Sequence, residues 1–362
     1  MQQMSFFKPK WATPPGATVL DLMRERNVPV GELAQAINKD PQSISRLLFG
    51  VEPLTLDWAE GLSDALGASS EFWLRREELY RADLKRLCDV ATAAQAEEWL
   101  RELPTKDMVK FGWIEQGASA QEAALNACAF FGVSTTDAFQ KKYKELQSTY
   151  AYRTSTKFEA RPSAIAAWLR QGEIAAAAID CAAWSTEKLS AALADIRSLT
   201  RENDPSIFLP KLERILAECG VAAVVARSPD GCRASGATRF LTPDRAILQL
   251  SFRYLADDQF WFTVFHEIGH LLLHTHDELF LEGLDSRNTQ AEDEADNFAL
   301  NTLFANVGVE ALDRVENSKF DIVRLARRAG IAPGIVVGQL QDRGRIPFRH
   351  FNYMKARYAW AN

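Results

Sequence analysis

Apolar residues recur three and four positions apart in three short stretches near the amino end, ATVLDLMRER (17–26), VGELAQAIN (30–38) and PQSISRLLFG (41–50). That spacing predicts three helices. The third has Asp40 as its cap, Pro41 at its first position and Gly50 just beyond its end. From about residue 92 to 200 the chain is alanine-rich with helical spacing, as in AIAAWLRQGEIAAAAI around Trp168, and shows no strand-like alternation. Trp99, Trp113, Trp168 and Trp184 read as core anchors. Strand signals begin after residue 200, with VAAVVA (221–226), GATRFLT (236–242) and AILQLSF (246–252), each short and bounded by Gly, Pro or Asp. A helix through WFTVFHEIGHLLLH follows, with Asp257 and Asp258 where an N-cap belongs, and a further helix is expected over 291–304. FDIVRLARRAGIAPGIVVGQLQDRG (320–344) reads as two short helices round a turn, packing on this part of the chain or forming a second helix-turn-helix. The expected fold class is mostly α with a small β-sheet (α+β).

With 47% hydrophobic and 25% charged residues in 362, the composition is that of an ordinary globular chain, which excludes a wholly disordered one. Five cysteines, Cys88, Cys128, Cys181, Cys219 and Cys232, are odd in number, far apart and without a CxxC pair. Neither a disulfide framework nor a thiolate zinc site is expected. No apolar run approaches the roughly 18 residues of a membrane helix, so we expect a cytoplasmic protein with no membrane partner. The net charge of −6 gives no global sign of a nucleic-acid binder.

Four of the five histidines, His266, His270, His274 and His276, fall within eleven consecutive residues. His266 and His270 belong to HEIGH, a match to HExxH. Positions four apart share a helix face and can present two imidazoles to one ion, while Glu267 sits one residue round and can reach its water. The helix is apolar elsewhere (Phe262, Phe265, Ile268, Leu271, Leu272), and a core helix buries such groups only if they are paired or ligated. Zinc needs a third protein ligand. His276 has the spacing of HExxHxxGxxH enzymes, but Leu273 stands where those have the glycine that turns the chain. Glu292 is the preferred ligand, with Glu294 the alternative because sequence does not set the helix phase. Asp296, one turn after Glu292, can take the outer N–H of a ligand histidine. His274 suits the last turn of a helix as a cation-capable side chain.

DDQFWFTVFHEIGHLLLH followed by EDEADNFA resembles the ImmA/IrrE family of metallo-endopeptidases, and GATRFL with ILQLSFRY resembles the strands upstream of their site. The likeness spans about residues 200 to 345. It implies a reduced, thermolysin-like (gluzincin) zinc peptidase domain, with His266, His270 and Glu292 as Zn2+ ligands and Glu267 as the general base. It also implies a protein substrate, since members of the family regulate transcription by cleaving a repressor.

At the amino end, Leu33, Ala34, Ile37, Ile44 and Leu47 fall on facing apolar sides of two helices joined by three residues, which is helix-turn-helix architecture. Residues 11 to about 80 resemble the Xre/Cro-type domain of HigA-like antitoxins and phage repressors. If this domain reads operator DNA, the start of its third helix does so, through Gln42, Ser43, Ser45 and Arg46. Against that, residues 16–67 hold four basic side chains and eight acidic ones, so few phosphate contacts are on offer, and the same fold used for protein docking is the alternative. Xre-type modules also imply a homodimer.

The resulting division is a helix-turn-helix domain at 11–91, a helical connector or sensor at 92–200, a metallopeptidase domain at 201–345 and a basic tail at 346–362. Two functions are compatible with it. One is a zinc endopeptidase that cleaves a helix-turn-helix repressor and is targeted by its own helix-turn-helix domain. The other is a non-catalytic DNA-binding regulator, or a HigA-like antitoxin, that retains the zinc fold.

Overall fold

The computed structural model describes residues 9–88, 93–151, 161–274, 279–282 and 290–360. The chain forms two compact units, Met1–Asp180 with Pro229–Cys232, and Cys181–Ser228 with Arg233–Asn362.

In the described residues the first unit is helical: α1 (Pro15–Arg26), α2 (Val30–Ala36), α3 (Pro41–Leu48), α4 (Leu56–Leu66), α5 (Ser70–Cys88), α6 (Ala93–Glu102), α7 (Thr105–Lys110), α8 (Ala120–Phe131), α9 (Thr136–Ala151) and α10 (Pro162–Ala176). The Asp40 carboxylate accepts the Ser43 N–H at 2.9 Å, satisfying an amide that has no partner within the first turn of α3. Leu33, Ile44, Leu47, Leu62 and Trp73 form a core from which water is excluded. The helix-turn-helix and the alanine-rich helices form one body. Pro29 cannot cap α2, and the Asp180 carboxylate does so from 150 residues away, accepting the N–H groups of Val30 and Gly31 at 2.9 Å each. Eleven of the fifteen residues of α10 are buried, which explains its alanines: small side chains let neighbouring helices approach. Its Arg170 donates to the Phe130 carbonyl at 2.7 Å and pairs with Glu173 at 2.5 Å, with its guanidinium over the Phe49 ring. Trp99, Trp113 and Trp168 are buried in this unit.

The second unit contains α11 (Thr186–Leu199), α12 (Pro205–Glu218), β1 (Val221–Val225), β2 (Gly236–Thr242), β3 (Arg245–Leu250), α13 (Asp257–Leu273), β4 (Phe280–Glu282), α14 (Gln290–Leu303), α15 (Ala311–Arg314), α16 (Lys319–Ala329) and α17 (Pro333–Asp342). The strands stand in the order β1-β3-β2-β4. β1 runs parallel to β3 with Val221 opposite Ala246, whereas β2 is antiparallel to both β3 and β4, with Thr238 opposite Leu248 on one side and Phe280 on the other. Trp261, Val264, Phe265 and Ile268 of α13 are buried in one core with Leu248, Leu303, Val336 and Leu340.

The structure departs from the expected layout at four places. Leu189 and Ile196 of α11 lie in the second unit's core, so residues 181–200 pack with the second unit and not with the first. Asp257 and Asp258 do not cap α13; Ala256 holds that position, and both aspartates lie buried in the first turn. The basic stretch after 345 is packed against the second unit: Ile346 and Tyr358 are buried, and Lys355 donates to Asp258 at 2.6 Å and to Gln341 Oε1 at 2.7 Å. Strand β4, three residues long, carries no pattern that single-sequence reading could detect. No helix among the described residues is long and apolar enough to cross a membrane.

Candidate metal centre

With its apolar face held in the core, α13 has no freedom to turn its polar residues to solvent. His266 and His270 are 2% exposed and Glu267 is fully buried. Such burial costs several kcal/mol unless partners are supplied, and α14 supplies them to the histidines. Gly269 permits the approach: a Cβ at this position would lie 3.2 Å from Ala295 Cα and 3.1 Å from the Phe298 ring.

Across that contact, His266 Nε2 lies 2.9 Å from His270 Nε2, and Glu292 Oε2 lies 3.2 Å from the first and 3.8 Å from the second. All three donor atoms fall within 4.8 Å of one another. A tetrahedral ion with bonds of about 2.0–2.1 Å sets its ligands about 3.3 Å apart, so the three residues fit one divalent metal. The protonation of Glu292 and His270 fits as well. Burial pushes the Glu292 carboxyl up, but hydrogen bonds from His266 and His270 outweigh it and hold its pKa at about 2. Burial lowers the pKa of His270, favouring the neutral imidazole that ligates metals.

Behind this cluster, His266 Nδ1 meets Asp296 Oδ1 at 2.8 Å, the carboxylate–histidine contact expected of Asp296. Glu294 is turned elsewhere, lying 3.1 Å from His274 Nε2 and accepting from Gln290 at 2.6 Å. His276 lies outside the described residues. Helix α13 runs through Leu273, as the missing glycine implies.

The Glu267 carboxylate takes a hydrogen bond from the Thr238 hydroxyl of β2. Gly236, on the same face of β2, makes room for it: a Cβ there would collide with the carboxylate and lie 2.6 Å from Thr263 Cγ2. Sequence reading missed Thr238. The available signal was its place in GATRFLT, two residues from a glycine on the same strand face.

The proposed DNA-reading residues are dispersed in their roles. Gln42 is exposed. Ser43 is half-buried, its hydroxyl donating to Asp40 at 2.6 Å. Ser45 is fully buried and its hydroxyl donates to the Ile174 carbonyl of α10, so in this conformation it does not face a groove. Arg46 pairs with Glu52 at 3.3 Å and donates to the carbonyls of Gly112 at 3.0 Å and Trp113 at 3.3 Å. The reason is tertiary: α10 and the 112–113 turn cover that side of α3, which local pattern does not reveal.

Residues 223–340, from β1 into α17, match the IrrE N-terminal-like domain family (Peptidase_M78). The chain is also similar to the uncharacterized HTH-type transcriptional regulator YddM of Escherichia coli (strain K12), with 33% identity over 78 residues that make up 21% of this chain and 83% of that regulator. A His-His-Glu cluster compatible with a metal thus lies inside the matched domain, and the C-terminal part of the chain belongs to the IrrE N-terminal-like (Peptidase_M78) domain family.

Proposed function

We propose that the protein is a zinc-dependent endopeptidase that hydrolyses a peptide bond in a helix-turn-helix repressor. The observation that carries this reading is the convergence of the His266 and His270 imidazoles, on the helix that also bears the buried Glu267, with the Glu292 carboxylate of α14 within 4.8 Å. Zinc held there would supply Lewis acidity that makes water acidic enough to react near neutral pH. His266, His270 and Glu292 would hold the ion, and Asp296 would fix the tautomer of His266. Glu267 takes the proton of the attacking water and passes it to the leaving amine, with the Thr238 hydroxyl orienting the carboxylate. The test is incubation of the zinc-loaded protein with helix-turn-helix proteins encoded beside its gene. We expect one to be cut, and Glu267→Gln to keep the metal while cutting about 10²- to 10⁴-fold more slowly. Equal cleavage by that variant sinks the mechanism.

A second reading, a DNA-binding regulator without catalysis, is favoured by the similarity to an HTH-type transcriptional regulator. Absence of cleavage of every candidate, together with preference for DNA upstream of its own gene, would favour it. We propose operator DNA as a partner in either case, bound by a homodimer at a two-fold site. Gln42 and Ser43 offer donors at the start of α3, whereas Ser45 and Arg46 join them only if α3 parts from α10 and the 112–113 turn.

A further inference from the structure

The two histidines of the cluster are backed differently. His266 has a carboxylate against its outer nitrogen, Asp296 at 2.8 Å. His270 has another imidazole there: its Nδ1 lies 3.0 Å from Nδ1 of His274, whose Nε2 lies 3.1 Å from Glu294 Oε2. Gln290 Nε2 steadies that carboxylate by donating to its other oxygen at 2.6 Å. The Phe280 ring stacks on His270 with centroids 4.1 Å apart and planes within 14°, and lies 5.2 Å from the ring of His274. Phe280 therefore fixes the plane of His270, while the His274 ring lies tilted by 46° to that of His270.

We propose that His274, with Glu294 behind it, is a positioning residue that sets the tautomer and orientation of His270 through a His270–His274–Glu294 relay. The proton count allows one arrangement. A lone pair on His270 Nε2 facing the ion puts the proton on Nδ1, which donates to His274 Nδ1. That atom must then be an acceptor, so the His274 proton sits on Nε2 and is donated to Glu294. Each contact carries one proton, and the line ends on a negative charge, as the shorter line from His266 does at Asp296. An outer carboxylate raises the donor strength of a ligand imidazole, and the relay gives His270 the same support over one more ring. At the end of α13, His274 has left helical geometry (φ −116°, ψ 174°) while its N–H still bonds the His270 carbonyl at 3.1 Å, which keeps its ring beside that of His270.

The inference rests on His266, His270 and Glu292 being the ligands, and the experiment separates the two. Zinc affinity of the full chain is measured by competition with a chromophoric chelator, alongside the visible spectrum of the cobalt form, for wild type, His270→Ala, His274→Ala, His274→Asn and Glu294→Gln. Circular dichroism checks folding. We expect His274→Ala to weaken zinc binding about 10- to 100-fold and to shift the cobalt bands. His274→Asn should recover most of the affinity, because its side-chain oxygen can accept from His270 Nδ1, and Glu294→Gln should fall between. Unchanged affinity and spectrum in His274→Ala overturn the relay. So does a failure of Asn to do better than Ala, which would mean that the ring only fills space. A loss in His274→Ala as complete as in His270→Ala makes His274 a ligand. Unchanged affinity in His270→Ala removes the ligand set itself, and the relay with it.

Discussion

Helices α13 and α3 each carry a short run of residue types tied to a chemistry; α3 is capped by Asp40 as its sequence suggests, whereas α13 has Ala256 at its N-cap position and no side-chain cap. In α13 the distant parts of the chain complete the run: α14 brings Glu292 and Asp296 to the histidines, and β2 brings Thr238 to Glu267. In α3 the distant parts occupy it, since the Ile174, Gly112 and Trp113 carbonyls accept the donors of Ser45 and Arg46. A motif whose members share one helix face keeps its internal geometry wherever the helix goes. Whether that face is available to a partner is decided by chain 60 to 130 residues away.

The sharpest break in this comparison is a ligand change. Glu292→Ala should reduce zinc affinity by more than the roughly 10- to 100-fold cost of an outer partner, while His276→Ala should leave it unaltered. The same chelator competition checks both, and a loss confined to His276→Ala would reassign the third ligand.

Next in size is a contrast between two aspartates. Burial pushes Asp257, in the first turn of α13, up to about 6 from 3.8. At the N-cap of α3, hydrogen bonds from the Ser43 hydroxyl and N–H lower the pKa of Asp40. The raised group stabilises fully below about pH 4 and loses that contribution as pH rises through about 6, on the order of 3 kcal/mol in all. The lowered group contributes above its unfolded value and loses its share as pH falls. Urea melts from pH 4 to 8 should show Asp257→Asn gaining on wild type as pH rises, and Asp40→Ala losing about 1 kcal/mol at pH 7 but less at pH 3. A parallel pH dependence for Asp257→Asn and wild type would contradict the first.

Arg46→Ala should destabilise the first unit by about 1–3 kcal/mol, because it orphans two carbonyls and Glu52. Anisotropy titration against operator DNA should show a smaller change than in a repressor whose arginine is free to read a base. A full loss of sequence preference without loss of stability would mean that α3 is released in solution.

The smallest effect belongs to Gln42→Ala, exposed on α3, which should alter stability by less than about 0.5 kcal/mol. Any change in DNA preference it causes is then a direct reading of contact.

HEIGH was legible because its spacing and its apolar neighbours fall within one helix of seventeen residues. Asp296 was also legible, one turn from Glu292 on a single helix. Thr238 was not, because its partner Glu267 lies 29 residues on and nothing in a strand's alternation names the helix that will cover it. The relay through His274 was read only as a helix-end histidine, since the phase that aims Glu294 at it comes from the crossing of α13 and α14. Helix α11 was misplaced for a similar reason: its apolar stripe is as compatible with one core as with another.

The sequence by itself determined the elements that depend on neighbours a few residues apart: the three amino-terminal helices with the Asp40 cap, the three strands after residue 220, and the HExxH face with its adjacent glutamate. These follow from backbone geometry and side-chain period, which act locally. Only the tertiary structure decided which α14 carboxylate joins the histidines, which backs His274, which end of the chain packs behind Asp258 and which polar residues of α3 are covered. Those outcomes depend on helix crossings and on burial by remote segments, where close packing leaves one arrangement and no local pattern encodes it.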